Sequence, residues 1–305
     1  MILGKSSYFR RSHYDAHAGV APPHLCELVV HCLELVSQLR HQGLAYRFKG
    51  GNSLLVLLED PQRFSIDVDI VTTTSKEALT QTVATVATEC DVFTRWEARA
   101  PKTKPWLPLI SFKLFFESEY QPPDESYVML DAVLEPPPYP GVFKQVRCGS
   151  LYESDVHVEV PSVSGLIGDK LLAIGPATLG IPLGKGKEAQ RLKHVFDVAT
   201  LSRHGSDPAA VSQSVAACKK QEEAIQGREY TWEEIVRDTK EFCSGPLADA
   251  APPPVGDLDP DSYYFEVVKG FDDFRRHLFR TEYTWDLFRS DCQRVIDVLD
   301  TIAPL

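Results

Sequence analysis

The 305-residue sequence has no apolar run long enough to span a bilayer, no Cys-x-x-Cys pair and no internal repeat. The first absence excludes a membrane-spanning helix. The opening stretch MILGKSSYFRRSHYD has no apolar core of the kind a secretion signal needs. The seven cysteines, Cys26, Cys32, Cys90, Cys148, Cys218, Cys243 and Cys292, are scattered and odd in number. That pattern argues against a disulfide framework and against a zinc site. Positive charge is scarce: 32 Lys and Arg stand against 43 Asp and Glu, a net charge of −11. This excludes a protein that coats nucleic acid through its overall charge, while leaving room for a local basic groove. The expectation is a soluble protein of the reducing cytoplasm with no membrane partner.

What is present is enough for a real core. With 43% hydrophobic residues over this length, one large or two ordinary domains are expected. Charge is segregated along the chain. Residues 1–49 carry Lys5, Arg10, Arg11, Arg40, Arg47 and Lys49 against Asp15, Glu27 and Glu34, whereas eight acids between Glu241 and Asp273 face only Lys269. An anionic ligand near the front of the chain is the implied partner.

Pro22 and Pro23 precede a helical pattern through Leu25, Val29, Cys32, Leu33, Val36 and Leu39, which Gly43 closes. A short strand over 44–48 leads into Gly50-Gly51, and NSLLVLLE reads as a short helix ended by an Asp60-Pro61 turn. Ser75 reads as the N-cap of a helix reaching Cys90. Strands are expected over 92–97, 109–117, 127–134 and about 156–160, with EPPPYPG, residues 135–141, as an irregular connector. From Ser162 onward the pattern is almost wholly helical, ending in helices over 262–279 and 284–302, with a Pro-rich loop at 244–260.

The stretch RFSIDVDI stands out. In a strand, alternate side chains share a face, so Phe64, Ile66, Val68 and Ile70 point one way and Ser65, Asp67 and Asp69 the other. Two neighbouring carboxylates disfavour each other's ionisation unless a proton or a cation intervenes. Taken alone, D-x-D is more often a solvated strand face than a metal site. The upstream Gly50-Gly51 before a helix start lets backbone N–H groups approach a phosphate. Together the two features suit phosphoryl transfer, in which Asp67 and Asp69 hold two metal ions bridging a triphosphate. Asp131, a lone acid within YVMLDAVLE, is the candidate third ligand, or else a strand-end acid reaching solvent.

KGGNSLL and RFSIDVDI, residues 49–55 and 63–70, resemble the nucleotidyltransferase domain of the AbiEii/AbiGii toxin family and its MenT-like relatives. That family's pattern is a lysine and two glycines opening a helix, then an R-x-S-x-D-[IVL]-D strand. IGDKLLAI, residues 167–174, and RLKHVFDVATL, residues 191–201, are similar to later blocks of the family in the same order. The resemblance covers roughly residues 40–205. It departs at Ile66, where relatives often carry a polar residue, and at Asn52-Ser53, which replaces a frequent Thr-Ala pair. The G-S-x-A-R-G signature of the kanamycin-type and MNT-type branches is absent.

The resemblance implies an α/β (α+β) fold: a DNA polymerase β-like minimal nucleotidyltransferase domain with a mixed twisted sheet, residues 1–160, and a helical C-terminal domain, residues 161–305, that closes the nucleotide cleft. It gives Asp67 and Asp69 the metal-ligand role, with Asp131 beside them. Gly50, Gly51, Asn52, Ser53 and Arg63 fall on the nucleotide-binding block. Lys170 falls on a lysine that contacts nucleotide phosphate, and Asp197 on the acidic residue of the following helix. The plainer readings are that Lys170 snorkels over a core helix, that Asp197 pairs with Lys193 on a helix surface, and that Arg63 anchors one of the acids.

The implied activity moves a nucleoside monophosphate from an NTP to a hydroxyl, with Mg²⁺, or Mn²⁺ in its place, at a two-metal site. The implied role is the toxin of an AbiE-type, type IV toxin–antitoxin or abortive-infection system, with a cognate antitoxin as partner. The implied acceptor is the 3′ end of a tRNA, and a basic path for RNA is offered by Lys185, Lys187, Arg191, Lys193 and His194 or by the N-terminal segment. The alternatives are a protein-modifying nucleotidyltransferase and a non-catalytic nucleotide- or partner-binding module on the same fold.

Overall fold

Alternating strands with one apolar face and one mixed face assemble a seven-stranded sheet in the computed structural model, in the order β3-β4-β5-β2-β1-β7-β6. The structure describes residues 1–302 except 20, 60–62, 100–107, 123–125 and 280–281. The strands are β1 Arg47–Lys49, β2 Asp67–Val71, β3 Arg95–Arg99, β4 Leu109–Phe115, β5 Tyr127–Val133, β6 Gly141–Cys148 and β7 Tyr152–Pro161. The pairs β1–β7 and β2–β5 are parallel and the others antiparallel. The helices among the described residues are α1 Arg11–His17, α2 Pro23–His41, α3 Gly50–Leu58, α4 Lys76–Glu89, α5 Val163–Leu172, α6 Glu188–Ser202, α7 Pro208–Gln226, α8 Trp232–Ala248, α9 Tyr263–Arg275 and α10 Trp285–Thr301. The mixed α/β class expected from the sequence is the class observed.

Two compact units divide the chain. The first holds Met1–Pro137, Gly141–Pro161 and His277–Thr281, and the second Pro138–Pro140, Ser162–Arg276 and Glu282–Leu305. Against the expected single boundary at 160/161, two short excursions exchange sides: 138–140 goes with the helices and 277–281 with the sheet.

In the first unit, Val68, Ile70, Ile110, Phe112, Leu114, Val128, Leu130 and Ala132 bury one face of the sheet. Helix α2 is enclosed on nearly all sides, so its polar groups need partners. Glu34 accepts from the N–H groups of Leu3 and Gly4, from Gln38 and from the Tyr152 hydroxyl. Glu27 accepts from the Glu119 N–H at 2.7 Å and from Ser118. In the second unit, Ser162, Asp207, Thr231, Ser262 and Thr284 cap helices with their side-chain oxygens. Gly168 lets α5 approach α7 closely: a Cβ there would stand 2.8 Å from the Ser214 Cβ.

Several local expectations are corrected. The acid-bearing strand starts at Asp67 and not at Phe64, because Arg63 and Phe64 pair elsewhere: Arg63 bridges Leu278, and the Phe64 N–H donates to the His277 carbonyl at 2.7 Å. Strand β6, absent from the sequence reading, pairs antiparallel with β7, with a register shift between Gln145 and Arg147. Helix α8 runs through a buried Pro246 to Ala248, so the Pro-rich loop begins only at Asp249; tertiary packing overrides the local breaker. The expected Asp60-Pro61 turn lies outside the described residues. No described helix is long and apolar enough to cross a membrane, and all seven cysteines are buried.

Candidate active site

Strand register builds the acidic face. On β2, Val68 and Ile70 are buried, while Asp67 is exposed and Asp69 half-buried on the other side. Antiparallel β1 sets Lys49 opposite Asp69, and parallel β5 sets Asp131 opposite it on the far side. Residues facing each other across a ladder share a face of the sheet. Lys49, Asp69 and Asp131 therefore form one row, continued by Ser111 of β4, whose hydroxyl donates to Asp131 Oδ1.

The glycine pair shapes the ground beside this row. Gly50 has φ +74°, and a Cβ there would fall 2.0 Å from Asp69 Oδ2. Only glycine leaves room for that carboxylate against the first residue of α3. A Cβ on Gly51 would meet Ser65 Oγ at 2.7 Å and Arg63 Nη2 at 2.8 Å. The Asp69 carboxylate, the Ser65 hydroxyl and the buried Arg63 guanidinium thus converge on the start of α3. At that helix start the first backbone N–H groups have no intrahelical acceptors and favour an anion.

Asn52 and Ser53 turn their side chains inward. Both are fully buried. Asn52 Nδ2 donates to the Asp67 carbonyl at 2.8 Å, tying α3 to β2, and the Ser53 hydroxyl donates inward to the Gly50 carbonyl at 2.9 Å. Arg63 Nη1 donates to the Phe64 carbonyl at 3.1 Å. Cys32 reports the local field: its thiol donates to the Ile66 carbonyl, and burial with the charges of Asp67 and Asp69 holds its pKa well above the usual thiol range.

The remaining two predicted residues lie in the second unit. Lys170 on α5 and Asp197 on α6 are both buried, with Nζ 3.7 Å from Asp197 Oδ2. Lys170 does not snorkel. Its stem and ammonium are enclosed, and Asp197 supplies its counter-charge.

The donor chemistry of Asp67 and Asp69 fits a hard divalent cation, which takes oxygen ligands and accepts others from water and phosphate. Among the described residues, no group of three or more His, Cys, Asp or Glu side chains is gathered to hold a metal ion. Asp131 stands in register with Asp69 but is engaged by Ser111. Sequence reasoning left out three members of this neighbourhood: Lys49, Ser65 and Ser111. Ser65 had a signal, its place on the acid-bearing face. Ser111 had none, because its partner is set by a pairing that no local pattern encodes.

A family model described as the nucleotidyl transferase AbiEii toxin of type IV toxin–antitoxin systems matches residues 35–281. No curated protein matches the chain. Among solved structures, the nucleotidyltransferase toxin MenT4 from Mycobacterium tuberculosis H37Rv is similar at a TM-score of 0.53 and 17% identity, covering 95% of this chain and 98% of that one. At that identity the similarity carries the fold.

Proposed function

This chain belongs to the AbiEii family of nucleotidyltransferase toxins of type IV toxin–antitoxin systems, and on that premise we propose that it transfers a nucleoside monophosphate from an NTP to the 3′ hydroxyl of an RNA, a tRNA first among candidates. The observation that carries the site assignment is the fit of the Asp69 carboxylate against Gly50, with Asp67 on the same sheet face. Two like charges sit where an anion-favouring helix start meets a strand.

In this reading Asp67 and Asp69 hold Mg²⁺, or Mn²⁺, with Asp131 as the neighbouring acid of the row. The metal supplies Lewis-acid stabilisation of charge developing on the transferred phosphoryl group. The backbone N–H groups of Gly51, Asn52 and Ser53 bind the triphosphate, and the Arg63 guanidinium orients it. Ser53 acts through its amide, since its hydroxyl serves the Gly50 carbonyl. By the family resemblance Lys170 would be the phosphate-contacting cation and Asp197, 3.7 Å from its ammonium, the residue that orients it. The acceptor oxygen bonds to the α-phosphorus as the bond to pyrophosphate breaks, and the hydroxyl proton leaves to the carboxylate row. The cytoplasm is the proposed compartment, supported by the odd number and scatter of the cysteines, and a cognate antitoxin the proposed protein partner.

The test is incubation of purified protein with Mg²⁺, total cellular RNA and each α-labelled NTP in turn, with Asp67→Ala as control. Label on tRNA that vanishes in the variant is the expected result. Label on protein alone redirects the acceptor to a protein hydroxyl, and no label on either overturns the reading.

A further inference from the structure

The acid pair sits at one end of a sheet face that continues across three more strands. Register fixes its rows: Asp67 faces Met129 of β5, which faces Lys113 of β4, which faces Glu97 of β3. The next row runs Asp69, Asp131, Ser111, Arg99, and a third joins Tyr127, Phe115 and Arg95. On β4 and β5 the opposite face is buried core, whereas here Phe115 is buried, Tyr127, Met129, Ser111 and Lys113 are half-buried and Glu97 and Arg99 exposed.

Two cations on this face lie over aromatic rings. The Lys113 ammonium is 3.8 Å from the centre of the Tyr127 ring, and the Arg95 guanidinium 3.3 Å from that of Phe115. Arg95 also pairs with Glu97. Arginine and lysine are the side chains that bind phosphate, the one as a planar fork that also stacks on rings and the other as a point charge. On β3, β4 and β5 this face carries Lys113, Arg95 and Arg99 against Glu97 and Asp131, a small positive excess in a chain whose total charge is −11.

Adjacent strands lie about 4.8 Å apart, so Lys113 stands about 10 Å from the strand of Asp67 and Arg95 about 15 Å. At roughly 3.4 Å per stacked nucleotide, that span matches about three to four nucleotides. We propose that this face of β3, β4 and β5 is the platform for the single-stranded 3′ end of the acceptor nucleic acid. Its terminal hydroxyl lies at the acid pair, its phosphates on Lys113, Arg95 and Arg99, and its bases against Tyr127 and Met129. The reading rests on the transfer proposed above and names where its acceptor strand lies. A peptide acceptor would take main-chain pairing along a strand edge, whereas cations and rings spread across three strands suit a stacked polyanion.

The experiment is fluorescence anisotropy of the full chain with a labelled single-stranded oligoribonucleotide bearing a free 3′ hydroxyl, at low and high salt. The double reversal Lys113→Glu/Arg95→Glu is expected to weaken binding at low salt by about tenfold or more and to flatten the salt dependence. The matched control Lys76→Glu/Lys220→Glu, on exposed positions of α4 and α7, is expected to change it less than about threefold. Equal loss in both pairs, no loss in the first, or no binding by the unaltered protein overturns the platform. Loss confined to Lys185→Glu/Lys187→Glu moves the path to the helical unit and overturns it as well. If the reversed protein fails to melt cooperatively, 4-thiouridine crosslinking on the unaltered protein decides: adducts on peptides holding Lys113, Tyr127 or Met129 support the platform, and adducts elsewhere sink it. Asp67→Ala separates the two ideas, since it is expected to abolish transfer while retaining oligonucleotide binding. Binding through this face with no transfer breaks the reaction reading alone.

Discussion

The two charged pairs of this protein, Asp67 with Asp69 and Lys170 with Asp197, are opposite solutions to placing ionised groups in a fold. The acids share a sheet face with like charge, one exposed and one half-buried. The lysine and aspartate are opposite in charge and shut away from water, 3.7 Å apart. A like-charged pair at a surface gains nothing for stability and is poised to gain from a cation. A buried opposite pair is bound into the fold, and removing either member strands the other.

The sharpest way to break that comparison is at the acids. Asp67→Ala is expected to lower transfer by about a thousandfold or more, ~4 kcal/mol of transition-state stabilisation, in the labelled-NTP assay. Its melting temperature in metal-free buffer should change little, because Asp67 is exposed on the sheet face. A large drop in melting temperature would mean that the acids are structural. Lys170→Ala should cost far more stability, about 3–5 kcal/mol in urea unfolding, because one member of a buried ion pair is removed. The apolar pair Lys170→Met/Asp197→Leu should recover most of that loss while transfer stays lost; recovery of transfer would remove Lys170 from the reaction.

Gly50→Ala tests the fit of Asp69. The residue has positive φ and its Cβ would overlap the carboxylate, so a cost of about 2 kcal/mol together with loss of transfer is expected. Unchanged activity would show that Asp69 does not depend on that contact. The buried His31 sharpens the comparison from within the sheet unit. Its ring stacks on Phe116 at 3.8 Å and burial pushes its pKa down from 6.5 to about 4. The unfolded chain therefore binds the extra proton first. Stability from this group is present above pH 6.5 and falls on acidification toward pH 4, by about 1.4 kcal/mol per pH unit at most. His31→Phe should flatten the urea midpoint across that window, and an unaltered slope would exclude the assignment. The smallest effect is expected of Ser53→Ala, about 1 kcal/mol of stability from the lost bond to the Gly50 carbonyl, with the KM for NTP little changed. A large rise in KM would restore its hydroxyl to the triphosphate.

Much of this was legible along the chain. The alternation through β2, the glycine pair before α3, the Ser75 and Ser162 caps and the helical stripes after residue 162 are local signals, and each marks its element within a few residues. The misreadings share a cause. Phe64 continues the β2 alternation but hydrogen-bonds to His277, more than two hundred residues away in sequence. Pro246 breaks a helix by local rules and sits inside one by packing. The direction of the Ser53 hydroxyl, donated inward to the Gly50 carbonyl, follows from its depth of burial and has no local signal.

By itself the sequence determined which residue types could carry the chemistry, and the period of the segments that hold them. Side-chain direction along a strand or helix follows from backbone geometry that neighbours in sequence impose. Tertiary structure alone decided that Lys49 and Asp131 flank Asp69, that Ser111 engages Asp131, and that Asp197 lies against Lys170. Each of those is a meeting of groups distant in sequence, settled by strand register and helix packing, where a shift of one residue would turn every side chain to the other face.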